Sequence, residues 1–190
     1  MKNNYKAKLQ LIFLVILFAG PFLLSWYLVF YSDFKQNEKG IEHGKLVIPV
    51  IELGKIKGVS INTKQETTLE GKWILTGFVD NACDKHCEDL LYKIRQLRLA
   101  VGKDINRVDR LIVADNVNFE KYTKDFAGQN ITASPEESSR LRELFNQNDA
   151  FNKEDIFLID QYGFLMMQYT FNTEPKLIIK DLERLLRNSK

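Results

Sequence analysis

Histidine and cysteine are the scarcest chemically useful residues in this 190-residue chain, two of each, and no histidine follows His86. With so few imidazoles a Ser-His-Asp or Cys-His-Asn triad is nearly excluded. Two cysteines rule out a disulfide-stapled scaffold. The chain also lacks a Walker pattern, a glycine-rich nucleotide loop, an HExxH zinc motif and a GxSxG elbow. Charge of one sign is missing too: once Lys2, Lys6 and Lys8 are set apart, 24 of the 27 basic groups face 25 acidic ones. A body this close to neutral has no clustered basic surface, which argues against nucleic acid as its partner. What the sequence does carry is apolar mass, 13 Phe, 7 Tyr and 2 Trp, more than a solvated disordered chain holds. The length suits one domain plus an appendage.

The appendage is at the amino terminus. Leu9 to Tyr31 are 23 residues without a charge. As a helix the run extends about 34 Å, enough to cross a hydrocarbon core of about 30 Å, so the bilayer is its expected partner. Gly20 and Pro21 stand mid-run and predict a kink, while Trp26, Tyr27 and Tyr31 fall where an aromatic belt meets the far interface. A cleaved signal would end in a small-x-small site, and none follows Tyr31, so residues 9–31 read as an uncleaved anchor. Lysines crowd only its front, which orients residues 1–8 to the cytoplasm and the body outside it. Thiols in that body meet an oxidising compartment.

Residues 32–58 read as a tether and extended lead-in, because 32–44 are polar and Leu46 to Leu53 is β-prone but broken by Pro49, as at a sheet edge. Residues 59–190 read as the domain. Lys72 to Val79 is a nearly continuous apolar run, the pattern of a strand covered on both faces. Asp80, Asn81 and Ala82 turn the chain. From Cys83, apolar residues recur at helical spacing through Cys87, Leu90, Leu91, Ile94, Leu97 and Val101 until Gly102. Val108 to Ala114 is a second buried strand, which makes a right-handed βαβ unit with a parallel pair. Residues 115–133 are a polar excursion with a short helical turn at Phe119 to Lys124. Ser134, Pro135 and Glu137 open a helix with a capping box. Asp155 to Ile159 and Phe164 to Tyr169 form a hairpin around Asp160 to Gly163, and Thr173, Glu174 and Pro175 open a closing amphipathic helix. From Lys72 the order is β, α, β, α, β, β, α, an α/β architecture.

The two cysteines stand four positions apart, Cys83-Asp84-Lys85-His86-Cys87, between the buried strand and the helix. Free amides at a helix start favour a thiolate at Cys83, and Cys87 lies one turn on along the apolar stripe. One presented and one half-buried sulfur suit thiol–disulfide exchange, and two soft sulfurs on one face suit Cu(I). A structural staple is the plain alternative, though so short a loop gains little from closure. Asp80, Asp84, Glu88 and Asp89 crowd the pair and oppose strong thiolate acidity.

On GKWILTGFVD before the pair, the C-x-x-x-C spacing and FLIDQYGFL, residues 59–190 resemble the thioredoxin-like superfamily, and within it the membrane-anchored Sco/SenC proteins of cytochrome c oxidase assembly. The chain is also similar to small single-span proteins that accompany terminal-oxidase genes, whose HG-x-L-x-x-P lead-in is matched by His43, Gly44, Leu46 and Pro49. The resemblance implies a thioredoxin-like fold and a place in the bacterial inner membrane with the domain in the periplasm. It further implies a part in assembling a respiratory copper oxidase, whose subunit or other assembly factors would be the partners. The Sco proteins complete their copper site with a distal His shortly before the hairpin. This chain reads Ala150, Phe151, Asn152, Lys153, Glu154, Asp155 there, so the three-ligand site is not carried over. Ordinary thioredoxins place a cis-Pro beside the pair, and no Pro stands between Pro135 and Pro175.

Three functions stay open: an oxidase assembly factor that exchanges disulfides or briefly holds Cu(I), a non-enzymatic membrane accessory with a structural Cys pair, and a general envelope thiol–disulfide oxidoreductase. Cys83 and Cys87 are the catalytic candidates and the first metal candidates. His86 reads as a solvated residue or a weak third ligand, and His43 as a ligand only if the lead-in folds back. Met166 and Met167 read as core rather than copper ligands. Lys93, Arg95, Arg98 and Lys103 read as the wet face of the first helix or as a docking surface for an acidic partner. Asn130-Ile131-Thr132 fits a glycosylation acceptor and reads as plain loop.

Overall fold

A computed structural model describes residues 3–31, 42–61, 63–79, 83–114, 131–148 and 151–189. Two compact units divide at Ile41 and Glu42. The first contains one helix, α1 (Asn3–Tyr31), which runs without interruption through Pro21. Its segment Tyr5–Tyr27 is long and apolar enough to cross a membrane.

The second unit is an eight-stranded mixed sheet with helices on both faces. Its elements are β1 (Lys45–Glu52), β2 (Ile56–Ser60), β3 (Glu66–Leu69), β4 (Trp73–Val79), α2 (Lys85–Ala100), a 3-10 turn (Gly102–Arg107), β5 (Val108–Ala114), β6 (Ile131–Ala133), α3 (Pro135–Asn146), β7 (Ile156–Ile159), β8 (Phe164–Tyr169) and α4 (Pro175–Asn188). The strand order is β1-β8-β7-β4-β5-β6-β2-β3. The compact unit therefore opens at Glu42 rather than at residue 59, because the stretch read as a lead-in pairs into the sheet: β1 runs antiparallel to β8 at one edge, and β2 joins β3 to β6 at the other. The expected turn at residues 80–82, the helical turn at 119–124 and the tether at 32–41 lie outside the described residues.

Strand β4 is buried at all seven positions, with β5 parallel on one side and β7 antiparallel on the other. Strand alternation divides its side chains between two cores. Trp73, Leu75 and Val79 join Leu90, Ile94 and Leu97 of α2 and Ile178, Leu182 and Leu186 of α4. Ile74 and Phe78 join Leu141 and Phe145 of α3 on the other face. Gly77 belongs to the first face, where a Cβ would stand 2.6 Å from Ile94 Cδ1, so its bareness lets α2 lie close on the strand. Helix α3 begins as its sequence predicts, with Ser134 Oγ accepting from the Glu137 amide and Pro135 at the first helical position. The box is half formed, because the Glu137 carboxylate turns to Arg140 instead. The hairpin turn is held by Asp160, whose Oδ1 accepts from the Tyr162 and Phe164 amides at 2.9 and 2.8 Å. Its Gly163 has φ +88° and lies too close to the Gly54 carbonyl for any side chain.

The start of β1 is pinned by one carboxylate. Asp181 of α4 is 3% exposed and accepts from the amides of His43 (2.8 Å) and Gly44 (3.2 Å) and from the Tyr169 hydroxyl (3.3 Å), with His43 Nδ1 at 3.0 Å. Gly44 is required there, since a Cβ would meet the Tyr169 ring at 2.5 Å. Removing such an acceptor leaves several donors unsatisfied, and Asp181→Ala is expected to destabilise the protein by about 2 kcal/mol, lowering Tm by about 4–8 °C in a thermal melt.

Burial, with Asp181 beside it, pushes the Tyr169 phenol well above the ordinary tyrosine range. A raised folded value means that the native state keeps a proton the unfolded chain has released. This contribution is whole below the unfolded value of about 10 and is lost as pH rises above it. Burial lowers Lys93, and burial with neighbouring arginines lowers Arg110 to about 10, which acts in the opposite sense. The difference between wild type and Tyr169→Phe isolates the phenol: the variant's stability is expected to fall less steeply than wild type above about pH 10 in denaturant melts.

Candidate functional site at the mouth of strand β4

Cys83 and Cys87 are joined in a disulfide with Cα atoms 5.2 Å apart. Both side chains are half-buried and rest on the core formed by β4, α2 and α4. Each cysteine is therefore partly exposed and backed by packed side chains.

The helix begins two residues later than its apolar spacing predicts. Cys83 lies outside α2, Asp84 is the N-cap, and its Oδ1 accepts from the Cys87 amide at 2.9 Å. One of the first-turn amides expected to favour a Cys83 thiolate is thus taken by a side chain. The amide of Cys87 itself is bonded to a carboxylate. Starting the helix at Lys85 also lets Cys83 come within bonding distance of Cys87 without deforming a helical turn.

His86 is not simply solvated. Its side chain is 39% exposed, but the ring packs on Phe171 with centroids 4.0 Å apart, and Nε2 is buried 3.7 Å from a carboxylate oxygen of Glu154. Phe171 is held in turn by Lys93 of α2, whose ammonium donates to the carbonyls of Phe171 and Thr173 (2.5 and 2.6 Å) and lies 5.4 Å from the Phe171 ring. Lys93 is thus a staple between α2 and the turn before α4, not part of a wet face. Arg98 is likewise internal, donating to the Val108 carbonyl at 2.7 Å and standing 3.8 Å from the buried Asp109. Sequence periodicity placed these cations off the apolar stripe but could not show which reach back over it.

His43 is committed to Asp181, so the lead-in does fold onto the body, but its imidazole meets a carboxylate there. Met167 is buried, with its sulfur 3.4 Å from the Tyr169 hydroxyl, and Met166 packs against the same core. Ile131 and Thr132 of the acceptor-like tripeptide form β6, while Asn130 lies outside the described residues. Among the described residues no three His, Cys, Asp or Glu side chains are grouped to hold a metal ion. The donor set fits Cu(I) between the two sulfurs once they are reduced, and does not fit a three-ligand centre.

Sequence reasoning missed Glu154 and Phe171, which contact the intervening histidine from the loop before β7 and the turn after β8. Neither residue belongs to a motif, and only the tertiary fold brings them to the pair.

The family model described as transmembrane-like, thioredoxin-like, C-terminal domain matches residues 73–189. No curated protein matches the sequence. Among solved structures, Bradyrhizobium japonicum ScoI with copper bound is 19% identical, covers 69% of this chain and 97% of its own, and has a TM-score of 0.55. Apo Sco1 of Thermus thermophilus is 16% identical over 78% of this chain and 99% of its own, with a TM-score of 0.57. BsSco, described with a disulfide switch and as a member of the Sco family of cytochrome c oxidase assembly proteins, is 11% identical over 76% and 97%, with a TM-score of 0.56. At these identities the likeness is one of fold.

The cap carboxylate stands one residue from Cys83 and accepts from the Cys87 amide, so its charge is expected to act on the reduced thiols. In the reduced protein, Asp84→Asn keeps a capping oxygen but removes the charge, so the pH midpoint of cysteine alkylation by iodoacetamide is expected to move lower than in wild type.

Proposed function

Because this chain belongs to the transmembrane-like, thioredoxin-like family, we propose that it is a membrane-anchored assembly factor for a respiratory copper oxidase, acting by thiol–disulfide exchange at Cys83 and Cys87. The observation that carries the reading is the Cys83–Cys87 bond at a half-buried rim beyond the central strand. The kinship in fold with Sco proteins, including BsSco with its disulfide switch, supports an oxidase client. The lysines ahead of the apolar run orient the amino terminus to the cytoplasm and residues 32–190 to the bacterial periplasm.

In the reduced protein the Cys83 thiolate attacks a client disulfide, and the client's leaving sulfur departs as a thiolate and takes a proton. Cys87 then attacks Cys83 in the mixed disulfide and releases the second client sulfur, which is also protonated. The client gains two electrons and two protons, and Cys83–Cys87 is left oxidised. A dithiol donor of the thioredoxin class returns the pair to its reduced form by the same two attacks in reverse roles. Cys87, embedded in α2 and backed by the core, suits the resolving role.

Holding Cu(I) as cargo between the two reduced sulfurs is the second reading, favoured by their softness and shared face. The commitment of His43 to Asp181 and of His86 to Phe171 and Glu154 ranks exchange first. Replacing Cys83 with Ser in cells is expected to lower oxidase activity to that of a deletion strain at unchanged protein level; activity equal to wild type would falsify the assembly role. Cu(I) titration of the reduced full chain separates the two readings. Retention that vanishes in Cys83→Ser supports the cargo role, and no retention, with a disulfide that small thiols reduce readily, supports exchange.

A further inference from the structure

The exposed apolar side chains of the second unit are concentrated at one place. Outside α1 the described residues include six large apolar side chains open to solvent, and three of them, Leu46, Ile48 and Val50, stand in one run of β1 at 43%, 82% and 51% exposure. The other three, Tyr92, Leu99 and Tyr162, lie on α2 and in the β7–β8 turn. A cluster of this kind, rimmed by polar residues, marks a contact surface, whereas single exposed apolar residues are ordinary.

The sequence and the pairing of β1 explain how the cluster arises. Residues 46–51 hold no polar side chain and are bounded by Lys45 and Glu52. Val47 is buried and Ile51 packs against the same core, so these positions hold β1 on the body while Leu46, Ile48 and Val50, alternating with them, face outward. β1 is also an edge strand whose pairing with β8 skips. Leu46 opposes Met167 and Ile51 opposes Leu165, which leaves four residues of β1 against Met166 alone. The chain bulges over residues 47–50 and carries Ile48 and Val50 away from the sheet.

Three observations specify what meets this knuckle. Pro49 has no N–H and the bulge interrupts the ladder, so a strand of another chain finds no regular edge to pair with. The exposed groups are aliphatic, whereas protein interfaces are held at their centres by Trp, Tyr and Arg. Leu46 stands fifteen positions after Tyr31, the last residue of α1, and that length of chain extends at most about 54 Å, which keeps the bilayer within reach. The anchor also changes what binding requires. Three aliphatic side chains would hold a free protein to a membrane only weakly, but a surface already anchored meets the bilayer at high effective concentration, and a weak contact is then occupied.

We propose that residues 46–50 form a second membrane contact, in which Leu46, Ile48 and Val50 enter the interface of the bilayer that α1 spans and hold the body with its β1 edge against lipid. The proposal rests on the membrane anchor and is independent of the exchange reading.

The full chain is placed in nanodiscs of phosphatidylethanolamine and phosphatidylglycerol that include a phospholipid with a diazirine near the top of one acyl chain. After photolysis, reduction and trypsin digestion, lipid label is measured by mass spectrometry in peptides 9–35, 46–55 and 86–93. Peptide 46–55 is expected to carry at least about tenfold more label than peptide 86–93, which holds the exposed Tyr92. Ile48→Asn combined with Val50→Asn is expected to lower that label at least about fivefold, with the label in 9–35 and the Cys83–Cys87 bond unchanged, because neither side chain belongs to the core. Label in 46–55 no higher than in 86–93, with 9–35 labelled, overturns the contact and leaves the anchor standing. Label that survives the double substitution overturns the assignment to these side chains. An unlabelled 9–35 sinks the anchor and the contact with it. Cross-links from 46–55 to another protein chain in place of lipid make the run a protein interface and overturn the proposal equally.

Discussion

Burial of β4 on both faces is the constraint from which the site follows. A strand with β5 and β7 bonded to its sides and helices over its faces has no free surface except at its ends. Beyond Val79 the chain crosses over through α2 and returns as β5, parallel to β4. That crossover puts the cysteines between the strand and the start of the helix, where their side chains are partly exposed and packed against the core. Gly77 sharpens the arrangement by letting Ile94 settle against the strand, which draws down the helix that carries Cys87.

Helix α4 completes this support through charged contacts at both ends. Lys93 holds the turn before it through two carbonyls, and Arg107 donates to the Leu186 and Ser189 carbonyls at its close (2.7 and 2.6 Å). Between them Asp181 draws in His43 and Gly44, so the same helix fixes the edge strand and underlies the core beneath the disulfide. The amphipathic face of α4 supplies apolar contact, but its place along the sheet is set by these few directional bonds.

Much of this was legible wherever hydrophobic period and capping chemistry agree. The run from Trp73 to Val79, the Ser134-Pro135 start and the Asp160 to Gly163 turn each specify their own local structure, and β4, α3 and the β7–β8 hairpin formed accordingly. Strands β3 and β6 were not legible. Glu66 to Leu69 is polar and Ile131 to Ala133 is three residues long, and both are strands because neighbours offer bonding edges rather than because of their own patterns. The start of α2 was misplaced for a similar reason. An apolar period extends through Cys83, but an aspartate able to accept from the third following amide ends the helix more firmly than a stripe extends it. Long cations such as Lys93 and Arg98 were read by position alone, while their stems let the charged ends return to buried carbonyls.

The chemistry of the pair is narrowed by what the two imidazoles already do. A soft cation held by two thiolates gains from a third donor only if that donor can turn toward it, and turning has a cost when the ring is packed. Moving His43 would strip Asp181, a carboxylate almost without solvent, of a partner, and moving His86 would break its stacking on Phe171. Glu154, whose carboxylate stands beside His86, is a hard oxygen donor poorly matched to Cu(I). Exchange between sulfurs asks for none of these movements. In the exchange proposed, one sulfur would be attacked by a client and the second would displace it, and Cys83 just outside α2, joined to Cys87 just inside it, is the pair available for those roles.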